Sequence, residues 1–307
     1  MGEKVLMKGN EAIGEAAIRS GCRHFFGYPI TPQTELSAYM AKKMPKINGV
    51  FLQAESEVSA INMVYGAAAA GMRTMTSSSS PGISLKAEGI SYLAAGDLPC
   101  VIVNIVRGGP GLGGIQPAQS DYFQAVKGGG HGDYHLIVLA PNSVQELAHL
   151  TAEAFNISDE YRIPTMILGD GTLGQMMEPV DLDAIPEPIY ADKPWAARGT
   201  DNKRKKNVVE TLYLEASELE KKVLEREEKY NVVKENLQRY EAHDIDDADI
   251  IISSYGITSR VVETAVKSLR EEGIKVGVIR PITLWPFPEK IFKTVKPKAF
   301  LSVEMST

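Results

Sequence analysis

The segment CVIVNIVR, Cys100 to Arg107, is the strongest strand signal in the chain. A strand whose alternating side chains are apolar in both directions has no face to offer water, so it belongs in a sheet covered on both sides. The chain around it is organised to supply that cover. NEAIGEAAIRSG (Asn10 to Gly21) has helical spacing, with an Asn at the cap position and a closing Gly. HFFGYP follows as a short strand entering a turn, and GVFLQA (Gly49 to Ala54) as another. SEVSAINMVYGAAAAG reads as a helix starting at Ser56, and RTMTSSSS leads into a helix from Pro81. YHLIVLAP and IPTMILGD are further strands, separated by the helix around SVQELAHLTAEAFNIS. Apolar strands alternating with helices predict an α/β fold with a parallel sheet over residues 1–180.

Residues 181–247 change character. DLDAIPEPIYADKPW is a Pro-rich connector, followed by a charged stretch with Leu219, Val223, Tyr230, Val233, Leu237 and Tyr240 at three- and four-residue intervals. This spacing predicts a solvated amphipathic helix, with Arg226 interrupting its apolar seam, that either lies along its own domain or offers a short coiled-coil contact to a partner. A second α/β unit runs over 248–307: DIIISSYG as a strand, SRVVETAVKSLREEG as a helix, KVGVIRPIT as a strand, FPEKIFKTV as a short helix and AFLSVEM as a strand. That last strand has no helix after it, so we expect this unit to be incomplete.

Composition narrows the function. With 307 residues and 44% hydrophobic content, the chain can build a large core. A net charge of -6 gives no reason to expect a nucleic-acid surface. The opening MGEKVLMKGN lacks a signal-peptide core, and no apolar run approaches the ~20 residues of a membrane span. Two distant cysteines, Cys22 and Cys100, cannot build a four-cysteine cluster and suggest a reducing, cytoplasmic home.

Several apparent sites dissolve on inspection. GPGLGG (Gly109 to Gly114) satisfies G-x-G-x-x-G after a strand, yet IQPAQSD holds a proline and no helical spacing. The phosphate-binding helix is missing, and the segment reads as a loop over a pocket. His131 and His135 stand four apart, but GGGHGDYH is too rich in glycine to be a helix presenting both to a metal. In SSSSPG, Ser80 is expected to cap the helix with Pro81 in its first position, where free amides could also hold an anion.

Three features persist. GYPITPQTE (Gly27 to Glu35) is a strand-ending turn stiffened by two prolines, so Thr31 offers a hydroxyl from a rigid mount. Arg107 ends its strand at the sheet edge where α/β proteins place ligands. In QAESEVSAINMVYGAAAAG, Glu57 falls in the first turn of a helix made otherwise of small and apolar residues. A carboxylate there can stabilise the helix dipole, or it can serve chemistry that wants a sheltered proton.

Together these segments resemble the α subunit of 2-oxoacid:ferredoxin oxidoreductases, the family that includes pyruvate:ferredoxin oxidoreductase. GYPITPQTE, QAESEVSAINMVYGAAAAG, TSSSSPGISLKAEGISYLAAGDLP, NIVRGGPGLGG and RPITLWPFP carry the resemblance over nearly the whole chain, in family order. SSSSPGISLKAEGISYLA and RGGPGLGGIQPAQSDYFQAVKGGGHGDYHLIVLAP are most similar to the branched-chain, 3-methyl-2-oxobutanoate members.

The resemblance implies a thiamine-diphosphate pyrimidine-binding domain over 1–180, a linker with its helix over 181–247, and a transketolase-C-terminal-like α/β domain over 248–307. It implies that Glu57 is the cofactor-activating glutamate, sharing a proton with the pyrimidine ring. Thr31 and Arg107 match the residues that face the 2-oxoacid, and Tyr28, Pro29, Ile30 and Thr31 would line the cofactor. Glu55 matches no catalytic position and should be structural or at an interface. The implied reaction is oxidative decarboxylation of a branched-chain 2-oxoacid to its acyl-coenzyme A, with ferredoxin reduced. 2-Oxoglutarate and pyruvate are alternative substrates, and a non-oxidative thiamine lyase or a non-catalytic scaffold subunit are rival readings.

No magnesium-diphosphate motif accompanies these residues. GDG (Gly169 to Gly171) matches the start of one, but Asn202, near the required distance, lies in a lysine-rich linker. The resemblance implies that Mg2+, the diphosphate half-site and the [4Fe-4S] clusters are supplied by a β subunit, a γ subunit and a ferredoxin-like subunit, so this chain alone should be inactive.

Overall fold

The apolar segments become buried strands, and the helices between them close both faces of the sheet. In the computed structural model, which describes residues 4–307, the first part of the chain runs β1 (Lys4–Lys8), α1 (Gly9–Arg19), β2 (His24–Gly27), α2 (Thr34–Lys43), β3 (Val50–Gln53), α3 (Glu57–Ala69), β4 (Thr74–Ser78) and α4 (Pro81–Ala95). It continues through β5 (Val101–Val106), α5 (Tyr122–Lys127), β6 (Ile137–Leu139), α6 (Val144–Tyr161), β7 (Thr165–Asp170), α7 (Gly171–Gln175) and β8 (Met177–Asp181). After an irregular stretch come α8 (Ala216–Asn236), β9 (Tyr240–His243), β10 (Ile250–Ser253), α9 (Gly256–Glu271), β11 (Val276–Pro281), β12 (Thr283–Trp285), α10 (Glu289–Thr294) and β13 (Ala299–Ser302). Among the described residues no helix is long and apolar enough to cross a membrane.

The main sheet has the order β12-β6-β7-β5-β4-β2-β3. Its six strands from β6 to β3 are parallel, and every residue of β4, β5, β6 and β7 is buried. The path leaves β2 to one side for β3 and returns to the other side for β4. A crevice therefore opens between β2 and β4 at their carboxyl ends, where such sheets hold ligands. A second sheet, β13-β10-β11-β9, carries the C-terminal unit, and β1 pairs with β8 antiparallel.

The predicted strand KVGVIRPIT divides. Its first part is β11 in the second sheet, whereas Thr283–Trp285 crosses back as β12 and pairs antiparallel with β6 of the first. The two units thus share one core, to which Tyr255, Ile282, Leu284 and Trp285 contribute. Arg280, 1% exposed, reinforces the joint by donating to both carboxylate oxygens of Glu146 in α6 at 2.7 and 2.8 Å. Helix α8 lies along the body of the protein, burying Tyr230 and Val233. Arg226, which breaks the apolar seam, donates to the carbonyl of Ala95 at the end of α4 (3.0 Å). A positive residue suits the carbonyl-rich end of a helix.

Two expected caps are reassigned. Asn10 lies inside α1, fully buried, because Lys8 occupies the cap position. Ser80 stands before α4 but does not cap it; its hydroxyl accepts from the backbone N–H of Arg107 (3.1 Å). Ser56 does cap α3, accepting from the Ser59 N–H at 3.1 Å. Gly21 follows α1 in the left-handed region, with φ 80°.

Candidate active site

The carboxyl ends of β3, β2, β4 and β5 bring the sequence-predicted residues to one edge of the sheet. Beyond β2, the loop Tyr28-Pro29-Ile30-Thr31-Pro32 turns outward. Tyr28, Pro29 and Thr31 are exposed, Ile30 is half-buried, and Pro32 is buried. The buried end is pinned from below. Asn10 donates to the Pro32 carbonyl at 2.8 Å and Gln175 at 3.1 Å, while Asn10 also reaches the Glu35 carboxylate at 3.2 Å. Gln33, fully buried, donates to the Tyr28 carbonyl (3.3 Å) and accepts from the Ser77 hydroxyl at the end of β4 (2.5 Å). The loop is thus fastened to α1, α7 and β4, and Thr31 stands on a fixed base.

Arg107 leaves β5 and folds back beneath that loop. It is 7% exposed, and its guanidinium donates to the carbonyls of Thr31 (3.0 Å) and Leu112 (2.7 Å). Its Nε is buried with no partner among the described residues. A buried guanidinium N–H without an acceptor is costly, so this donor is well suited to an incoming oxygen. The glycine segment 108–114 forms an exposed loop, closed on itself by Gly114 N–H to the Gly108 carbonyl (2.9 Å).

Glu57 opens α3 and is 6% exposed. Its carboxylate lies against Gly82 in the first turn of α4, where a methyl group would stand 2.9 Å from Glu57 Oε1 and 2.0 Å from Ser78 Oγ. The absence of a side chain at position 82 makes this approach feasible. No hydrogen bond reaches the Glu57 carboxylate from the described residues, and the buried hydroxyls of Ser78 and Ser79 are also without partners. Polar groups left open in a buried place usually have an occupant in mind. Glu55, by contrast, is exposed and accepts from the Ser59 hydroxyl at 2.8 Å, a local contact on the helix it precedes.

The sequence reading missed Lys86. It is fully buried in α4, and its ammonium donates to Thr76 Oγ1 (2.8 Å) and the Ser77 carbonyl (2.9 Å). Burial pushes this amine down to about 7, and the Glu57 carboxylate pulls the other way. A signal was available: Lys86 falls on the same stripe as Ile83, Ile90 and Leu93, all buried, where a charge is out of place.

The remaining candidates have other duties. Asp170 caps α7, accepting from the N–H groups of Thr172 (2.8 Å) and Leu173 (3.2 Å), and burial raises its carboxyl. The His135 ring stacks on Trp285 at 4.6 Å, and the His135 backbone N–H donates to the Tyr230 hydroxyl; His131 meets Tyr92 edge-on. Cys22 and Cys100 are separate buried thiols, and burial pushes that of Cys22 up to about 12.

Comparison with known proteins gives a consistent result. Residues 15–256 match the family model described as pyruvate flavodoxin/ferredoxin oxidoreductase, thiamine-diphosphate binding, and residues 248–307 match pyruvate:ferredoxin oxidoreductase core domain II. The ketoisovalerate oxidoreductase subunit VorB of Methanothermobacter marburgensis is 50% identical over 98% of this chain and 86% of its own length. The 2-oxoglutarate synthase subunit KorA of Methanocaldococcus jannaschii is 37% identical over 98% and 88%. A solved structure of 2-oxoglutarate:ferredoxin oxidoreductase from Magnetococcus marinus, with 2-oxoglutarate, coenzyme A and succinyl-CoA bound, superimposes with a TM-score of 0.89 at 30% identity. It covers 99% of this chain, which spans 58% of that one. A split-gene transketolase shares the fold alone, with a TM-score of 0.56 at 13% identity.

Proposed function

The chain belongs to the pyruvate:ferredoxin oxidoreductase family, and from that premise we propose that it supplies the pyrimidine half of a thiamine-diphosphate site for oxidising a branched-chain 2-oxoacid. The substrate is 3-methyl-2-oxobutanoate, the product its acyl-coenzyme A, and the electrons pass to ferredoxin. The greater identity to the ketoisovalerate subunit than to the 2-oxoglutarate subunit, 50% against 37%, supports this choice. The chain works as one subunit of a multi-subunit enzyme. The diphosphate, its Mg2+ and the iron–sulfur clusters belong to β, γ and ferredoxin-like partners.

One observation carries the reading: the sheltered Glu57 carboxylate, without a donor of its own, lies at the same sheet edge as Thr31 and Arg107. The missing side chain at Gly82 is what lets the Glu57 carboxylate and the Ser78 hydroxyl close on the first turn of α4 and fixes where the acid stands. Thiamine diphosphate, when bound, supplies a nucleophilic carbon for the keto group and an electron sink for the carbon–carbon bond that breaks. Glu57 holds a proton on its carboxyl oxygen and shares it with a pyrimidine nitrogen. Arg107 meets the substrate carboxylate through charge-assisted N–H donation from the free Nε. Thr31 adds a hydroxyl, and the fastened Tyr28–Pro32 loop keeps both donors in place.

Reconstitution with the partner subunits and measurement of viologen reduction with several 2-oxoacids tests the assignment. The highest kcat/KM is expected with 3-methyl-2-oxobutanoate. Equal or better turnover of 2-oxoglutarate would overturn the substrate choice.

A further inference from the structure

Lys86 is a buried cation without an acidic hydrogen-bond partner. An ammonium has three donors; Thr76 Oγ1 and the Ser77 carbonyl take two, and the third is not taken up by any described residue. Lys86 and Gly82 are four residues apart in α4, so they occupy successive turns on one face. The Glu57 carboxylate rests on Gly82. The acid and the amine therefore lie one helical turn apart in the same wall, Lys86 fully buried and Glu57 6% exposed.

Few other charges face this pair. Strand β4 offers only the buried hydroxyls of Thr74, Thr76, Ser77 and Ser78. Strand β2 carries one titratable group, His24, at its far end. On α4, Glu88 is exposed and accepts from the Tyr92 hydroxyl (2.6 Å), and Tyr65 lies two turns further along α3. Among the described residues, Glu57 is the charge that favours the protonated Lys86 amine against its burial.

We propose that Lys86 is a positioning residue for Glu57: its fixed ammonium, held by Thr76 and Ser77, is the counter-charge that lets the Glu57 carboxyl release its proton to the cofactor ring. The inference rests on the proton-sharing role given to Glu57 above. The physical reason is simple. Proton transfer from carboxyl to ring leaves a carboxylate in a low-dielectric wall, and a cation one turn away stabilises that charge. The ammonium itself neither gives nor takes a proton in this step; it sets how far the shared proton moves.

Two measurements on the full chain and the reconstituted complex decide the matter. In the full chain labelled with 13C at lysine Cε, Lys86 should titrate near pH 7. Glu57→Gln should lower that midpoint by about one pH unit, as loss of a nearby opposite charge does. In the reconstituted complex, near-ultraviolet circular dichroism of added thiamine diphosphate reports the tautomer of its aminopyrimidine. Lys86→Met should shift that signal and lower kcat about tenfold with KM unchanged, one pH unit of proton affinity being tenfold in the transfer equilibrium. In the Glu57→Gln background, where little turnover is left to read, the same replacement should leave the circular-dichroism signal unchanged. Equal effects of Lys86→Met in both backgrounds, or a Lys86 midpoint indifferent to Glu57→Gln, would overturn the proposal. Full turnover in Glu57→Gln would instead overturn the role of Glu57, while the lysine titration, which needs no turnover, still decides the contact.

Discussion

Replacing Lys86 by methionine should stabilise the folded chain at acidic pH and destabilise it at alkaline pH. The unfolded chain keeps this lysine protonated up to its ordinary 10.5, whereas the folded chain releases the proton at about 7. Between those values the unfolded state binds more protons, so wild-type stability rises with pH; below 7 the whole cost of burying the charge is present. At about 1.4 kcal/mol per pH unit, that cost is about 5 kcal/mol at pH 6 and about 2 kcal/mol at pH 9. Methionine removes it but leaves Thr76 Oγ1 and the Ser77 carbonyl without their donor, a loss of about 3 kcal/mol for two buried acceptors. The net expectation is a gain of about 2 kcal/mol at pH 6 and a loss of about 1 kcal/mol at pH 9. The difference of about 3 kcal/mol between the two pH values does not depend on the hydrogen-bond cost. Urea unfolding of wild type and variant at both pH values measures it, and groups that titrate alike in the two proteins cancel. A variant whose stability change is the same at pH 6 and pH 9 would refute the reasoning, because Lys86 would then keep its proton throughout.

Glu57→Gln should nearly abolish turnover while the subunits still co-elute in gel filtration; substantial retained activity would contradict the proton-sharing role. Arg107→Ala should raise KM for the 2-oxoacid about tenfold or more, as loss of a charge-assisted contact of about 1.5–3 kcal/mol does, and steady-state kinetics would show it. Gly82→Ala places a methyl 2.0 Å from Ser78 Oγ and 2.9 Å from Glu57 Oε1. Displacement of the carboxylate should then lower cofactor affinity, measurable by titrating thiamine diphosphate into the reconstituted complex, with smaller loss of chain stability. Arg280→Ala leaves Glu146 facing a vacated buried site and should lower stability by about 3 kcal/mol in chemical denaturation, without changing substrate preference.

The sheet was legible because buried parallel strands are apolar on both faces, and CVIVNIVR, YHLIVLAP and IPTMILGD are such strands. Glu57 was legible because its helix starts with a serine cap that fixes where the first turn falls. Local pattern could not reveal long-range exchange. Strand β12 is three residues long, too short for any period to register, and only its pairing with β6 shows that it has left the second sheet. Asn10 and Ser80 were misjudged for a related reason. Each stands at a helix start, where its side chain would ordinarily serve the local backbone. Each instead serves a distant loop, Asn10 the Pro32 carbonyl and Ser80 the Arg107 N–H. Both belong to the scaffold that holds the Thr31–Arg107 pair.

Lys86 shows what such conflicts mean. Helix α4 packs a stripe of Ile83, Ile90 and Leu93 against the sheet, and every local rule asks for an apolar residue at position 86. Methionine would fill the space and, near neutral pH, strengthen the fold. A charge placed there against that gradient points to a role other than stability. The nearest thing to act on is the Glu57 carboxylate, resting one turn away on a glycine that no larger residue could replace without moving it. Gly82 gives the acid its room beside Ser78, and Lys86 stands one turn further along the same helix.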